Sequence, residues 1–81
     1  MKTEIRNFLT THRADPTSGD FTDDESLTQK GVLDSVAMVD LITHLESSYG
    51  ISVADSEMMP ENFDSLNAIC SLVERKLPGQ G

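Results

Sequence analysis

Tryptophan is absent, cysteine occurs once, and lysine and arginine together number six against 14 acidic residues, for a formal net charge of −8. Nucleic acids and anionic membrane surfaces are held by clustered Lys and Arg, so this balance excludes both as the main ligand. The lone cysteine, Cys70, excludes an intramolecular disulfide and a cysteine-rich zinc site. No apolar run approaches the roughly 18 residues of a membrane span. The opening stretch MKTEIRNFLTTHR has no apolar h-region of a secretory leader. These shortages lead to the expectation of an acidic, soluble, cytoplasmic chain. Its 81 residues leave room for one domain with one small core.

Four helical segments are expected, at residues 3–13, 35–49, 56–60 and 65–77. In the first, Thr3 is placed as N-cap, Glu4 sits where the helix dipole favours an anion, and Ile5, Phe8 and Leu9 recur at helical spacing. Asp15-Pro16 follows and ends it. From Ala14 to about Asp34 neither a helical nor a strand period holds. A connection of this length is either disordered or pinned to the body. Pinning is the preferred reading, with Phe21, Leu27, Val32 and Leu33 as anchors.

The second helix has the clearest signals. Asp34 or Ser35 caps its start, and Gly50 supplies a left-handed residue at its end. At about 100° per residue, Met38, Leu41, Ile42, Leu45 and Tyr49 form one stripe, which must face the core. Val36, Val39 and Thr43 form another, interleaved with Asp40 and flanked by Glu46, and folding does not need it. Ile51 and Val53 read as plugs on an extended link. Ser56 is placed as the cap of a short turn that Pro60 interrupts. The last helix starts at Asp64 or Ser65, carries Leu66, Ile69, Cys70, Val73 and Leu77 on one stripe with Leu72 beside it, and stops at Pro78-Gly79. The expected fold is all-α: a small four-helix bundle with a long first loop and a short third helix, a single domain over residues 1–81. Its expected core is Ile5, Phe8, Leu9, Leu33, Leu41, Ile42, Leu45, Tyr49, Val53, Phe63, Leu66, Ile69 and Val73.

Catalysis in place finds little support. His12 and His44 have no nucleophile and orienting partner visible in sequence, and surface histidines are mostly solvated. Cys70 lies on an apolar stripe and reads as a small buried hydrophobe. The acidic loop invites a calcium site. An EF-hand register begun at Asp15, however, puts Asp20 where the invariant glycine belongs and Ser26 where the bidentate glutamate belongs. No specific metal site is expected.

The informative spot is Gly31-Val32-Leu33-Asp34-Ser35-Val36. A serine at a helix start is most often only a cap. Here Asp34 can cap instead, which frees the Ser35 hydroxyl beside an apolar strip rimmed by acids. That combination reads as a docking surface around a modifiable hydroxyl. An anionic phosphodiester there would sit at the positive end of the helix dipole.

Read with its surroundings, this stretch resembles the acyl carrier proteins, the phosphopantetheine-binding family that includes peptidyl and D-alanyl carriers. The residues that carry the resemblance are Gly31-Val32-Leu33-Asp34-Ser35-Val36-Ala37-Met38-Val39-Asp40-Leu41, Leu45-Glu46, Tyr49-Gly50-Ile51, Val53 and Asn62-Phe63-Asp64-Ser65-Leu66-Asn67-Ala68-Ile69. The family's Asp-Ser-Leu motif appears as Asp34-Ser35-Val36. The resemblance implies that a phosphopantetheinyl transferase moves 4′-phosphopantetheine from coenzyme A onto Ser35, next to Asp34. It implies a carrier with no catalysis of its own, in which the arm's thiol holds an acyl or aminoacyl group as a thioester. It further implies contact with an acyl- or aminoacyl-loading enzyme and a downstream synthase or transferase through Val36, Val39, Asp40, Thr43, Glu46 and Asp55. Nothing in the chain demands more than a monomer.

Ala37 stands where fatty-acid carriers usually have an acid, and His44 and Ser47-Ser48 dilute the acidic run that follows. Leu33-Asp34 stands where peptidyl carriers have glycines. The pattern is closer to free-standing carriers of specialised pathways: aminoacyl or D-alanyl carriers, nonribosomal peptide systems and polyketide systems with unusual extender units. The alternative is an acidic helical adaptor in which Ser35 is only a cap.

Overall fold

The computed structural model describes residues 1–77. Among these, four α-helices follow one another: α1 (Lys2–Thr11), α2 (Ser35–Tyr49), α3 (Pro60–Phe63) and α4 (Leu66–Lys76), with one 3₁₀ turn at Asp55–Glu57. There is no strand among the described residues. The all-α, four-helix architecture with a long first loop is as the sequence indicates.

α1 begins earlier than the expected Thr3 cap. The Ile5 amide donates to the Met1 carbonyl at 3.1 Å, so a helical turn closes before Thr3, which lies inside the helix. It also ends earlier, at Thr11 and not Arg13. The reason is downstream: the amides of Ala14 and Asp15 donate to the carbonyls of Val32 and Gly31 at 3.0 and 2.9 Å, drawing the chain away from the helix axis. Gly31 has φ +78°, and a Cβ there would lie 3.3 Å from the Asp15 Cβ, so this crossing favours glycine.

The long loop is pinned, and all four anticipated anchors are buried. Polar staples reinforce them. Arg6 donates to the Phe21 carbonyl at 2.8 Å, pairs with Asp23 and places its guanidinium over the Phe21 ring. The Asn67 amide donates to the Asp23 carbonyl at 3.0 Å, which ties the same segment to α4.

α2 spans the expected residues. Asp34 accepts from the Ala37 amide, and Gly50, at φ 66°, closes the other end by donating to the Glu46 carbonyl. Leu41, Ile42 and Leu45 are buried, while Met38 and Tyr49 are partly buried against the same cluster. Ala37 is buried too, which the stripe did not assign. Of the expected core, Phe8 is half-buried, like Tyr49; the other eleven residues are inside.

Between α2 and α3 the expected short helix at 56–60 gives way to a different arrangement. Ser56 lies within the 3₁₀ turn and does not cap it; the Glu57 carboxylate accepts from the Ala54 amide at 3.0 Å instead. Pro60 does not interrupt a helix but begins α3, because a first helical residue needs no N–H. Ser65, not Asp64, caps α4 by accepting from the Ala68 amide at 3.1 Å. α4 packs on α1 and α3 and buries Leu66, Ile69, Cys70, Leu72 and Val73. The helix ends at Lys76, with Leu77 extended. The Pro78-Gly79 stop signal lies outside the described residues.

Candidate functional site

Asp34 is extended, and its carboxylate takes the cap, 2.8 Å from the Ala37 nitrogen. Ser35 is the first residue of α2, is exposed, and is not used in capping. Its two nearest apolar neighbours on the outer strip are the most exposed large hydrophobics of the described chain, Val36 at 72% and Val39 at 61%. A valine gains nothing for folding when so exposed. Asp40 and Thr43 extend this face one turn further and are also exposed.

The other two residues of the expected partner surface sit differently. Glu46 is half-buried, and its Oε2 accepts from the Val53 amide at 2.9 Å, so this carboxylate helps hold the extended link that seats Ile51 and Val53. Asp55 is exposed at the start of the 3₁₀ turn.

On the inner side of Ser35 a cavity of about 360 Å³ opens, lined by Thr28 from the loop, Leu33, Asp34, Ser35 and Met38 around the start of α2, and Phe63 and Asp64 from the end of α3. Asp64 builds this wall. Its Oδ2 accepts from Ser26 Oγ at 2.7 Å, and its Oδ1 from the Thr28 amide and Oγ1 at 3.0 and 2.7 Å. Its carbonyl accepts from the Leu27 amide at 2.7 Å. Burial pushes the Asp64 carboxyl up, but these donors outweigh it and hold the group below its ordinary value, so it is ionised at neutral pH. Sequence reading offers Asp64 as a helix cap and as part of the resemblance, not as a wall of this cavity, and does not find Thr28. Their partners lie 36 to 38 residues apart, beyond any local signal.

A second depression of about 460 Å³ lies between α1 and α2, lined by Phe8, His12, Asp40, Thr43, His44 and Ser47. The two histidines are stacking groups here: the Phe8 ring lies 4.2 Å from His44 and 4.4 Å from His12, centroid to centroid. Cys70 is buried, and burial pushes its thiol above the ordinary value, away from thiolate chemistry. Among the described residues no three His, Cys, Asp or Glu side chains gather to hold a metal ion.

An exposed hydroxyl at the amino end of a 15-residue helix, with the cap supplied by its neighbour, is a setting a covalently attached phosphate group fits. The chain matches the phosphopantetheine attachment site family over residues 14–73 and belongs to that family. Its cofactor is accordingly 4′-phosphopantetheine, covalently bound. Among curated relatives, a D-alanyl carrier protein of Streptococcus suis (strain 98HAH33) is 46% identical over 48 residues, 59% of this chain and 61% of that protein. D-alanyl carrier proteins of Lactococcus lactis subsp. cremoris (strain MG1363) and Streptococcus equi subsp. zooepidemicus (strain MGCS10565) are 38% and 41% identical. Those matches cover 65% and 63% of this chain and 67% and 65% of the relatives. The chain thus spans about three-fifths to two-thirds of the length of these relatives. No helix of the described residues is long and apolar enough to cross a membrane.

Proposed function

We propose that Ser35 is the attachment point of 4′-phosphopantetheine and that residues 1–81 act as one discrete carrier domain without catalysis of its own. The observation that carries this reading is the division of labour at the head of α2: Asp34 caps the helix and leaves the Ser35 hydroxyl exposed. When bound, the group supplies a terminal thiol that holds an acyl or aminoacyl cargo as a thioester.

The protein's own residues do the rest. Ser35 offers its oxygen to a phosphopantetheinyl transferase. The amino end of α2 favours the phosphodiester charge. Val36 and Val39, with Asp40 and Thr43 behind them, give the transferase, a loading enzyme and a downstream synthase or transferase a common docking face. Exposed acids there steer basic partners into contact. Glu46 contributes through the link it holds and Asp55 from beyond the helix. The D-alanyl carriers among the relatives and the Gly-x-Leu-Asp-Ser opening support a cytoplasmic carrier of a specialised pathway over a housekeeping fatty-acid carrier.

The test is intact-mass measurement after incubation with coenzyme A and a broad-specificity phosphopantetheinyl transferase. The wild-type chain gains one arm and Ser35→Ala gains none. An unchanged wild-type mass, or an equal gain in the variant, rejects the reading and leaves Ser35 in an adaptor with no tether.

A further inference from the structure

The chain reaches Ser35 through a segment that is folded onto itself before α2 begins. The Leu27 carbonyl accepts from the amides of both Val32 and Leu33, at 2.9 and 3.1 Å. The Ser26 carbonyl accepts from the Lys30 amide at 3.0 Å and the Thr28 carbonyl from the Gly31 amide at 3.3 Å. Residues 26–33 are therefore one closed unit, joined through Asp34 directly to Ser35. Leu27, Val32 and Leu33 are buried, which holds the unit to the core, but apolar burial is non-directional. Its direction comes from polar ties. Those from Ala14, Asp15 and Glu25 start on the same loop. Asp64, at the α3–α4 junction, supplies the tie to the helical body. Its carboxylate accepts from Ser26 Oγ, the Thr28 amide and Thr28 Oγ1, and its carbonyl from the Leu27 amide, all within 3.0 Å. Asp64 is itself well placed for this, between the fully buried Phe63 and the α4 cap Ser65.

We propose that Asp64 is a positioning residue for arm attachment: by holding residues 26–33 it fixes where the Ser35 hydroxyl stands when a transferase acts on it. The proposal rests on the carrier reading and adds a residue to it. Attachment forms a bond from Ser35 Oγ to the phosphorus of coenzyme A that bears pantetheine. The bond from that phosphorus to the departing adenosine 3′,5′-bisphosphate breaks, and the hydroxyl proton passes to the transferase. A displacement of this kind depends on placement, and a shift of about 1 Å caused by a distant mutation can cost about 100-fold in rate. Docking on the outer strip of Val36 and Val39 does not draw on Asp64. Loss of its hydrogen bonds should therefore lower kcat and leave KM for the chain almost unchanged.

The experiment measures steady-state arm attachment to the full chain, with coenzyme A and a broad-specificity phosphopantetheinyl transferase, at a temperature where every variant is folded. Asp64→Ala should lower kcat at least about fivefold, with KM for the chain changed less than about twofold. Ile5→Val, a core change on α1 that lines no part of the cavity, supplies a comparable loss of stability and should keep kcat within about twofold of wild type. Asp64→Asn should also stay within about twofold, because its carboxamide oxygen can accept from Thr28 while its NH₂ donates to Ser26 Oγ. A second readout uses the unmodified chain: hydrogen exchange at the Val32 and Leu33 amides should be faster in Asp64→Ala and not in Ile5→Val. No attachment to the wild type sinks the carrier reading, and this proposal with it. With the wild type modified, four results would each overturn the proposal alone: Asp64→Ala at the wild-type rate, Asp64→Asn as slow as Asp64→Ala, equal slowing in Ile5→Val, or unchanged exchange at Val32 and Leu33.

Discussion

The Asp34 carboxylate accepts the Ala37 amide proton at 2.8 Å, and this one bond decides what the next residue is free to do. Were Ser35 the cap, its oxygen would be occupied by backbone. With Asp34 in that place, Ser35 stands at the first helical position with its side chain in solvent. On the proposed reading, stability and modification fall to adjacent residues and can be separated by mutation.

Asp34→Ala removes the cap and should cost about 1 kcal/mol of stability. Ser35→Ala removes an exposed hydroxyl that caps nothing and should change stability by less than about 0.5 kcal/mol. Urea unfolding of the two variants beside the wild type checks both values. A larger loss for Ser35→Ala than for Asp34→Ala would reverse the assignment.

Asp64 fastens the loop to the α3–α4 junction through donors on Ser26 and Thr28. Asp64→Ala leaves one part-buried donor on Ser26 and two exposed donors on Thr28 without their acceptor and should cost about 1 kcal/mol. Hydrogen exchange at the Leu27 and Thr28 amides should accelerate more than exchange within α4. Uniform acceleration across the chain would show that the loop is not the element released.

Acid should lower the stability of the protein. The neighbouring Thr17 hydroxyl and amide lower Asp15, Lys2 and then Arg6 lower Asp23, the Thr22 amide and then Lys30 lower Glu25, and Lys76 and then the Ala54 amide lower Glu57. Each folded-state value lies below the unfolded one, so the unfolded chain binds more protons and stability rises with pH. This contribution is fully present above the unfolded values, about 3.9 for Asp and 4.3 for Glu. It is lost as pH falls through the lower folded-state values. Melting temperature in moderate salt, which screens the net negative charge, should be nearly flat above about pH 5 and drop below about pH 4. A melting temperature that climbs on acidification through that window would contradict the pairing.

The outer strip of α2 should matter to partners and not to folding. Val39→Ala and Asp40→Lys alter exposed side chains, so each should change stability by less than about 0.5 kcal/mol. Both should slow the transferase reaction at Ser35, Asp40→Lys more at low salt than at high salt. Initial rates of arm attachment across a salt series are the readout. Rates equal to wild type at every salt concentration would remove this strip from the docking face.

What the sequence disclosed and what it concealed divide by range. α2 was legible end to end because its signals are local: a capping aspartate, a glycine at the left-handed position, and a stripe of Leu41, Ile42 and Leu45. The spare strip of Val36 and Val39 was legible for the same reason, since apolar residues off the core face stand out against helical period. Loop anchors were legible as isolated hydrophobes in a polar stretch. The concealed features are bonds between distant segments. Asp64 reaches back to Ser26 and Thr28, and the exit from α1 is set by Val32 and Gly31. Glu46 was read as a partner contact, yet its carboxylate also takes the Val53 amide seven residues on. A proline is compatible with either a helix stop or a helix start, and Pro60 is the first residue of α3. The cavity beside Ser35 is the sum of such contacts, so neither Thr28 nor Asp64 could be assigned to it from spacing.

The attachment point itself is the most direct test. After reaction with coenzyme A and transferase, fragmentation mass spectrometry should locate the added group on Ser35 alone, with Ser26, Thr28 and Thr43 unmodified. Added mass on any of those neighbours, or on no residue at all, would contradict the account.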